Sequence, residues 1–268
     1  MLDDQIVKAY IEGKRIEEFS DRWYFHIEDR HFEEPAYTEE HREKVAICYR
    51  EIRSCAEDFV PANVDVWEAL FPQWRDYLSE VTIYLSVGYP NPYDATTAQD
   101  PKGQTAVILD LGLWASYVGR VDIRSVAHNM LTHELCHVCI GKTTPDLFDG
   151  SPSQDTMQWL DSNTFNEGLA HLVSYNDKEI GDVDWDGPQL REAYAACAAK
   201  MEETLNEKDP KRREALMETA VAGRYLEKYA CICGMVYLAK VWQREGIEGI
   251  KKVYQDGWRG FSQKTIGL

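Results

Sequence analysis

Positive charge is scarce in this sequence. Its 268 residues include 29 Lys and Arg against 46 Asp and Glu, which gives a net charge of −17. A surface this rich in carboxylates repels the phosphates of nucleic acids and the anionic head groups of lipids. We therefore expect no nucleic-acid partner and no membrane partner, and we interpret the charge mainly as a source of solubility.

Long apolar runs are also lacking. No stretch of about 18 apolar residues occurs, so the sequence predicts no membrane-spanning helix. Residues 1–5 have neither the basic region nor the apolar region of a secretory signal. The seven cysteines are odd in number, and the chain is too large to depend on a disulfide scaffold. These features indicate buried free thiols and a cytoplasmic location.

The chain lacks internal repeats, and we interpret residues 1–268 as a single domain in three parts. Apolar residues recur every three to four positions in residues 1–60, which predicts an N-terminal helical part. Residues 81–176 are expected to hold a small sheet and two helices that carry the chemistry. Residues 188–268 are expected to be helical again, with helices near 188–206 and 211–244.

The central part has the clearest pattern. Residues 81–87 and 105–111 are rich in β-branched and apolar side chains, which predicts two strands that pair. The segment 89–102 between them is rich in Pro, Asp and Thr, which predicts a loop. Helices are predicted at 122–140 and 165–176, separated by a polar loop that contains Pro145, Gly150 and Pro152. The expected fold is α+β and helix-rich, with a small mixed sheet before the first of these helices.

That first helix contains the segment His133-Glu134-Leu135-Cys136-His137. Two histidines four positions apart lie on one face of a helix, so both imidazoles can bind one tetrahedral Zn²⁺ ion. Glu134 lies beside that face, where its carboxylate can take a proton from a water molecule that the ion activates. The segment therefore predicts a zinc site held by His133 and His137, with Glu134 as general base.

A catalytic zinc site needs a third protein ligand. The candidate is Glu167, in the segment Asn166-Glu167-Gly168 of the next predicted helix, where the small Gly168 would let two helices approach closely. Glu167 could instead be the third residue of a capping box that begins at Thr164. His171 lies four residues further on the same face, so it could orient Glu167, contact substrate, replace Glu167 as ligand, or simply pack.

These two motifs together resemble the gluzincin zinc metallopeptidases, and more closely the small bacterial predicted zinc-dependent proteases that carry a Glu-Gly-Leu-Ala segment. The resemblance covers residues 81–176. It implies a zincin-like fold, His133, His137 and Glu167 as metal ligands and Glu134 as the base. It also implies an edge strand that binds the substrate backbone, and residues 105–111 would be that strand.

Other residues carry weaker signals. Such enzymes need a donor for the developing oxyanion, and the segment around residues 223–229 offers Arg224, Tyr225 and Tyr229; Tyr229 is our choice. We interpret Cys136 and Cys139 as buried, unreactive thiols, in preference to ligands of a closed His/Cys zinc site. His128 is expected to be structural.

The sequence therefore predicts a zinc metallopeptidase that acts on a peptide or protein substrate. One alternative is a metal-dependent amidase that acts on a small molecule, with the same zinc site in a different pocket. Another is a binding protein in which zinc only staples helices together. In that case Cys136 or His171 would close the fourth position of the ion.

Overall fold

The computed structural model describes residues 1–27, 30–147 and 155–267. Its strands are β1 Leu2–Asp3, β2 Thr82–Ser86, β3 Ala95–Gln99 and β4 Thr105–Asp110. Its helices are α1 Gln5–Ile11, α2 Glu39–Glu57, α3 Val64–Leu70, α4 Trp74–Ser79, α5 Leu111–Trp114, α6 Ile123–Thr143, α7 Thr156–Ser174, α8 Pro188–Asn206, α9 Pro210–Met217, α10 Tyr229–Asp256 and α11 Phe261–Lys264. The chain is helix-rich with a small mixed sheet, which confirms the predicted α+β class.

The chain divides into two compact units. The first unit comprises Met1–Pro61 and Gln73–Val138, and the second comprises Ala62–Pro72 and Cys139–Leu268. Of the predicted polar loop before α7, residues 148–154 lie outside the described residues, among them Gly150 and Pro152.

The sheet belongs to the first unit. Within the described residues its strand order is β1-β2-β4-β3, with β1, β2 and β4 parallel and β3 antiparallel to β4. The predicted pairing of residues 81–87 with 105–111 is therefore confirmed as the β2–β4 pair, with Tyr84 opposite Ile108. Residues 106–110 of β4 are all buried, as expected for a strand with neighbours on both sides.

The prediction that residues 105–111 form an edge strand is wrong. β4 lies inside the sheet, and the two edge strands are β1 and β3; β3 lies within the segment predicted to be a loop. A tight turn connects β3 to β4, and in it Asp100 Oδ1 accepts hydrogen bonds from the backbone N–H groups of Lys102 and Gln104, each at 2.8 Å. The five residues of β3 show no alternation of apolar and polar side chains strong enough to predict a strand.

The first unit contains α2, within the predicted N-terminal helical part, and most of α6, the helix that carries the His133–His137 motif. α2 begins at Thr38, whose Oγ1 accepts a hydrogen bond from the backbone N–H of His41, and it buries Val45, Cys48, Ile52 and Cys55. The rest of residues 1–60 is less helical than predicted, since residues 30–38 contain no helix. α6 begins after Asp122, whose Oδ1 accepts from Arg124 N at 3.2 Å, and it continues three residues past the predicted end.

The second unit is built on α7 and α10. Their backbones meet at two glycines, where a Cβ added to Gly168 would lie 2.7 Å from Cα of Gly234. The predicted helix over 211–244 is wrong in its middle, because α9 ends at Met217 and α10 begins at Tyr229. Gly223 between them has φ +104°, a conformation that a helix does not contain.

In the described part of the chain, no helix combines the length and the apolarity that crossing a bilayer requires.

Candidate metal centre

The two motif histidines lie one turn apart on α6, as the sequence predicts. Nε2 of His133 is 3.1 Å from Nε2 of His137, and the two rings are perpendicular with centroids 4.7 Å apart. Two imidazoles bound at about 2.0–2.1 Å to a tetrahedral ion would hold their nitrogens roughly 3.3 Å apart. The pair therefore needs little adjustment to bind a single ion.

Glu134 is the residue between them that was predicted to act as base. It is 6% exposed, and its Oε2 accepts a hydrogen bond from Thr97 Oγ1 at 2.7 Å. Thr97 is the middle residue of the edge strand β3. A buried carboxylate with one oxygen held by a hydroxyl keeps a fixed orientation, and the second oxygen, Oε1, is then the one that would take a proton.

Glu167 lies in the interior of α7 and not at its start. The helix begins at Asp155, whose Oδ1 accepts from Met157 N at 3.2 Å, eleven residues before Asn166. Thr164 is within the helix and donates its hydroxyl to Leu160 O at 2.7 Å. The capping-box interpretation of Glu167 is therefore wrong, because a residue in mid-helix has no free amide of the first turn to satisfy.

Glu167 has two chemically active neighbours in its own unit. Its Oε2 lies 3.6 Å from Nε2 of His171, one turn further along α7, as the four-residue spacing predicts. The thiol of Cys231 on α10 lies 3.8 Å from the same oxygen. Burial first, and then the charge of Glu167, raises the pKa of that thiol, so Cys231 is a neutral hydrogen-bond donor at neutral pH.

The glycine next to Glu167 explains why the carboxylate sits at this helix crossing. Besides Cα of Gly234, a Cβ on Gly168 would meet Met235 N at 3.1 Å, and a Cβ on Gly234 would lie 2.2 Å from Thr164 O. Only two glycines allow backbones to approach this closely. The crossing fixes the position of Glu167 against Cys231. Gly168 is a small residue at a helix contact, but the helix that it meets there is α10, whereas the sequence analysis expected the close approach between the two motif helices.

The possible metal ligands form one pair in each unit. On α6, Nε2 of His133 and Nε2 of His137 lie 3.1 Å apart, and on α7, Oε2 of Glu167 lies 3.6 Å from Nε2 of His171. The residue types suit zinc, which binds imidazole and carboxylate together.

The tyrosine candidates have different environments. Tyr229 is fully buried at the start of α10, with its hydroxyl 3.3 Å from Thr204 Oγ1 on α8. Tyr225 is 41% exposed, and its ring packs edge-on against His171 with centroids 5.1 Å apart. Desolvation first, and then Tyr175, Cys231 and Glu167, raises the pKa of Tyr225 above its usual value. Tyr225 therefore keeps its proton and remains a hydrogen-bond donor.

The remaining candidates have ordinary structural environments. Nε2 of His128 lies 2.7 Å from Val60 O, which fits the structural role predicted for it. Cys136 and Cys139 are buried and form no disulfide, and burial raises the pKa of Cys139 to about 12. Arg224 is exposed and lies 3.8 Å from Glu227.

No protein-family model, curated protein or solved structure matches the chain.

Sequence reasoning missed two residues near the site. Thr97 lies in a segment predicted to be a loop, and a threonine there carries no spacing signal that points to Glu134. Cys231 lies sixty-four residues after Glu167 and was interpreted as an inert thiol. Both contacts join elements that are distant in the chain, so only the folded structure reveals them.

Proposed function

We propose that this protein is a zinc-dependent hydrolase that cleaves peptide bonds. The observation that carries the proposal is the pair of His133 and His137 on α6, whose Nε2 atoms lie 3.1 Å apart, together with Glu167 beside His171 on α7. These side chains offer imidazole nitrogens and a carboxylate, which is the donor set of catalytic zinc sites. The resemblance of the two motifs to the gluzincin metallopeptidases supports the same assignment, as does a helix-rich fold with a small mixed sheet.

We assign His133, His137 and Glu167 as the three ligands. The close approach of the two imidazole nitrogens on α6 supports His137, and the mid-helix position of Glu167 leaves its carboxylate without a capping role. His171 then supports Glu167 from the next turn of α7, since its Nε2 lies 3.6 Å from Oε2. Three protein ligands leave one position for a water molecule or a substrate oxygen.

A zinc ion in this position would supply a Lewis acid and would lower the pKa of a water molecule to about 7. Through Oε1, Glu134 would take a proton from the attacking water while Thr97 holds Oε2. The water oxygen would bond to the peptide carbonyl carbon as the π electrons of the carbonyl move onto its oxygen. Glu134 would then pass the proton to the departing amine as the carbon–nitrogen bond breaks and the carbonyl re-forms, so the carboxylate returns to its starting state.

The oxyanion donor is better assigned to Tyr225 than to Tyr229. Tyr225 packs against His171 and keeps its phenolic proton, so it can donate a hydrogen bond to the carbonyl oxygen as negative charge develops. Tyr229 is completely buried beside Thr204. A core hydroxyl of this kind stabilises packing more readily than it reaches a substrate.

The edge strand β3 supports a peptide as the substrate class. Residues 95–98 of β3 are partly exposed, and within the described sheet β3 pairs with β4 along only one of its two sides. An extended peptide can add to such an edge through backbone hydrogen bonds. This proposal transfers the substrate-binding strand from residues 105–111 to β3.

The presence of His171 supports a second candidate function, in which the zinc is structural and the protein is not an enzyme. If His133, His137, Glu167 and His171 all bound the same ion, four protein ligands would close the site and the zinc would be structural. Alanine variants of His137 and His171 separate the two cases when zinc affinity is measured by chelator competition. Loss of a supporting group costs about 10–100-fold in affinity, and loss of a ligand should cost more. Equal large losses in both variants would favour the closed site.

The decisive test uses the zinc-loaded chain and a peptide library, with Glu134→Gln as the matched variant. We expect the wild-type chain to cleave a subset of peptides, and the variant to bind one zinc and cleave none. Turnover that survives in Glu134→Gln would show that Glu134 is not the base. A wild-type chain that binds zinc but leaves every peptide intact would favour a small-molecule substrate or the closed site.

A further inference from the structure

Thr97 on β3 contacts one carboxylate oxygen of Glu134, the proposed base. Its hydroxyl oxygen is 2.7 Å from Glu134 Oε2 and 3.2 Å from the backbone oxygen of Glu134. A hydroxyl has one proton to donate. The shorter distance and the charge of the carboxylate give that proton to Oε2, and charge-assisted hydrogen bonds of this kind are the stronger ones.

Both partners of this hydrogen bond are held by regular backbone. Thr97 is at the centre of β3, opposite Val107 of β4. Glu134 is in the middle of α6 and is buried. Threonine is also branched at Cβ, which restricts its first side-chain torsion. The direction of the hydroxyl is therefore set by the sheet, and the direction of the carboxylate follows from it.

We propose that Thr97 is a positioning residue that holds Glu134 in the orientation needed to take and return a proton. This positioning role rests on the proposed function, because it assumes that Glu134 is the base. By binding Oε2, the hydroxyl turns Oε1 toward the reacting water. Thr97 also belongs to the strand on which a peptide substrate would pair, so the base and the bound peptide share one rigid support.

Three substitutions test this role in the zinc-loaded chain. Thr97→Val keeps the shape of the side chain and removes the hydroxyl, and we expect kcat to fall about 10–100-fold, because a reacting group displaced by about 1 Å can lose that much. KM and zinc content should stay at their wild-type values. Thr97→Ser keeps the hydroxyl and should restore most of the activity. Thr82→Val is the matched control, since Thr82 is a partly exposed threonine of β2 in the same sheet, outside the strand on which the substrate would pair.

A second measurement does not depend on turnover. In the metal-free chain, urea unfolding of Thr97→Val, Glu134→Ala and the double variant gives the coupling between the two side chains. We expect the coupling to correspond to about a tenfold change in the folding equilibrium constant, typical of a hydrogen bond to a charged group. The Thr82→Val cycle with the same Glu134 variant should show no coupling.

The outcomes separate this inference from the proposed function. Wild-type kcat in Thr97→Val, or no coupling in the metal-free chain, would overturn the positioning role while leaving the zinc hydrolase intact. A fall in zinc content or a rise in KM with unchanged kcat would also overturn it, because Thr97 would then act only on structure or binding. Turnover that survives Glu134→Gln would instead overturn the proposed function, and this inference with it.

Discussion

The crossing of α7 and α10 provides the sharpest test of how the structure places Glu167. Replacing Gly168 with alanine would put a methyl group 2.7 Å from the backbone of Gly234, where no side chain can rotate away. Overpacking of a dense core costs about 1–3 kcal/mol, and a backbone contact should be at the upper end of that range. Alanine recovers about 1 kcal/mol through its higher helix propensity. We expect a net loss of about 2 kcal/mol in the free energy of unfolding.

This loss is measurable by urea unfolding and by thermal melting. For a chain of this size, 2 kcal/mol lowers Tm by roughly 4–8 °C. Gly141→Ala is the matched control, since it is also a helical glycine but a Cβ there meets nothing within 4 Å. It should leave Tm unchanged or raise it slightly. The reasoning fails if Gly168→Ala is as stable as the wild-type chain, or if the two variants behave alike.

Three further predictions follow from the site and from the first unit. At free zinc about 1,000-fold above Kd, the wild-type chain should gain about 4 kcal/mol of stability; a melting shift that persists in His133→Ala would contradict the site. Burial raises the pKa of Asp110 to about 6, against opposing hydrogen bonds from the backbone N–H groups of Tyr89, Leu113 and Gly112. The contribution of Asp110 to stability is therefore complete below about pH 4 and lost as pH rises through 6. Relative to Asp110→Asn, the wild-type chain should lose about 3 kcal/mol of unfolding free energy between pH 4 and 8, and a pH-independent difference would refute this. Tyr225→Phe should lower kcat about 100-fold if Tyr225 is the oxyanion donor, whereas the reverse result, with only Tyr229→Phe affecting kcat, would restore the original choice.

The errors in prediction share one cause. Local periodicity does not separate strand β3 from a loop, because its residues are half exposed and follow a Pro-rich stretch. Its identity as a strand depends on pairing with β4. The edge-strand assignment failed for the same reason, since a sequence does not reveal which strand has a neighbour on only one side.

The sequence alone determined which side chains share a helix face, because this depends only on their spacing within one helix. His133 with His137, and Glu167 with His171, are four residues apart, and 3.6 residues per turn place each pair on one face whatever surrounds it. The tertiary structure decided the contacts between distant segments, which no local periodicity of the sequence encodes. It put Thr97 against Glu134 and Cys231 against Glu167, and it packed Tyr225, not Tyr229, against His171. These contacts join distant segments, and their formation depends on the packing of whole elements, such as the crossing that only the two glycines permit.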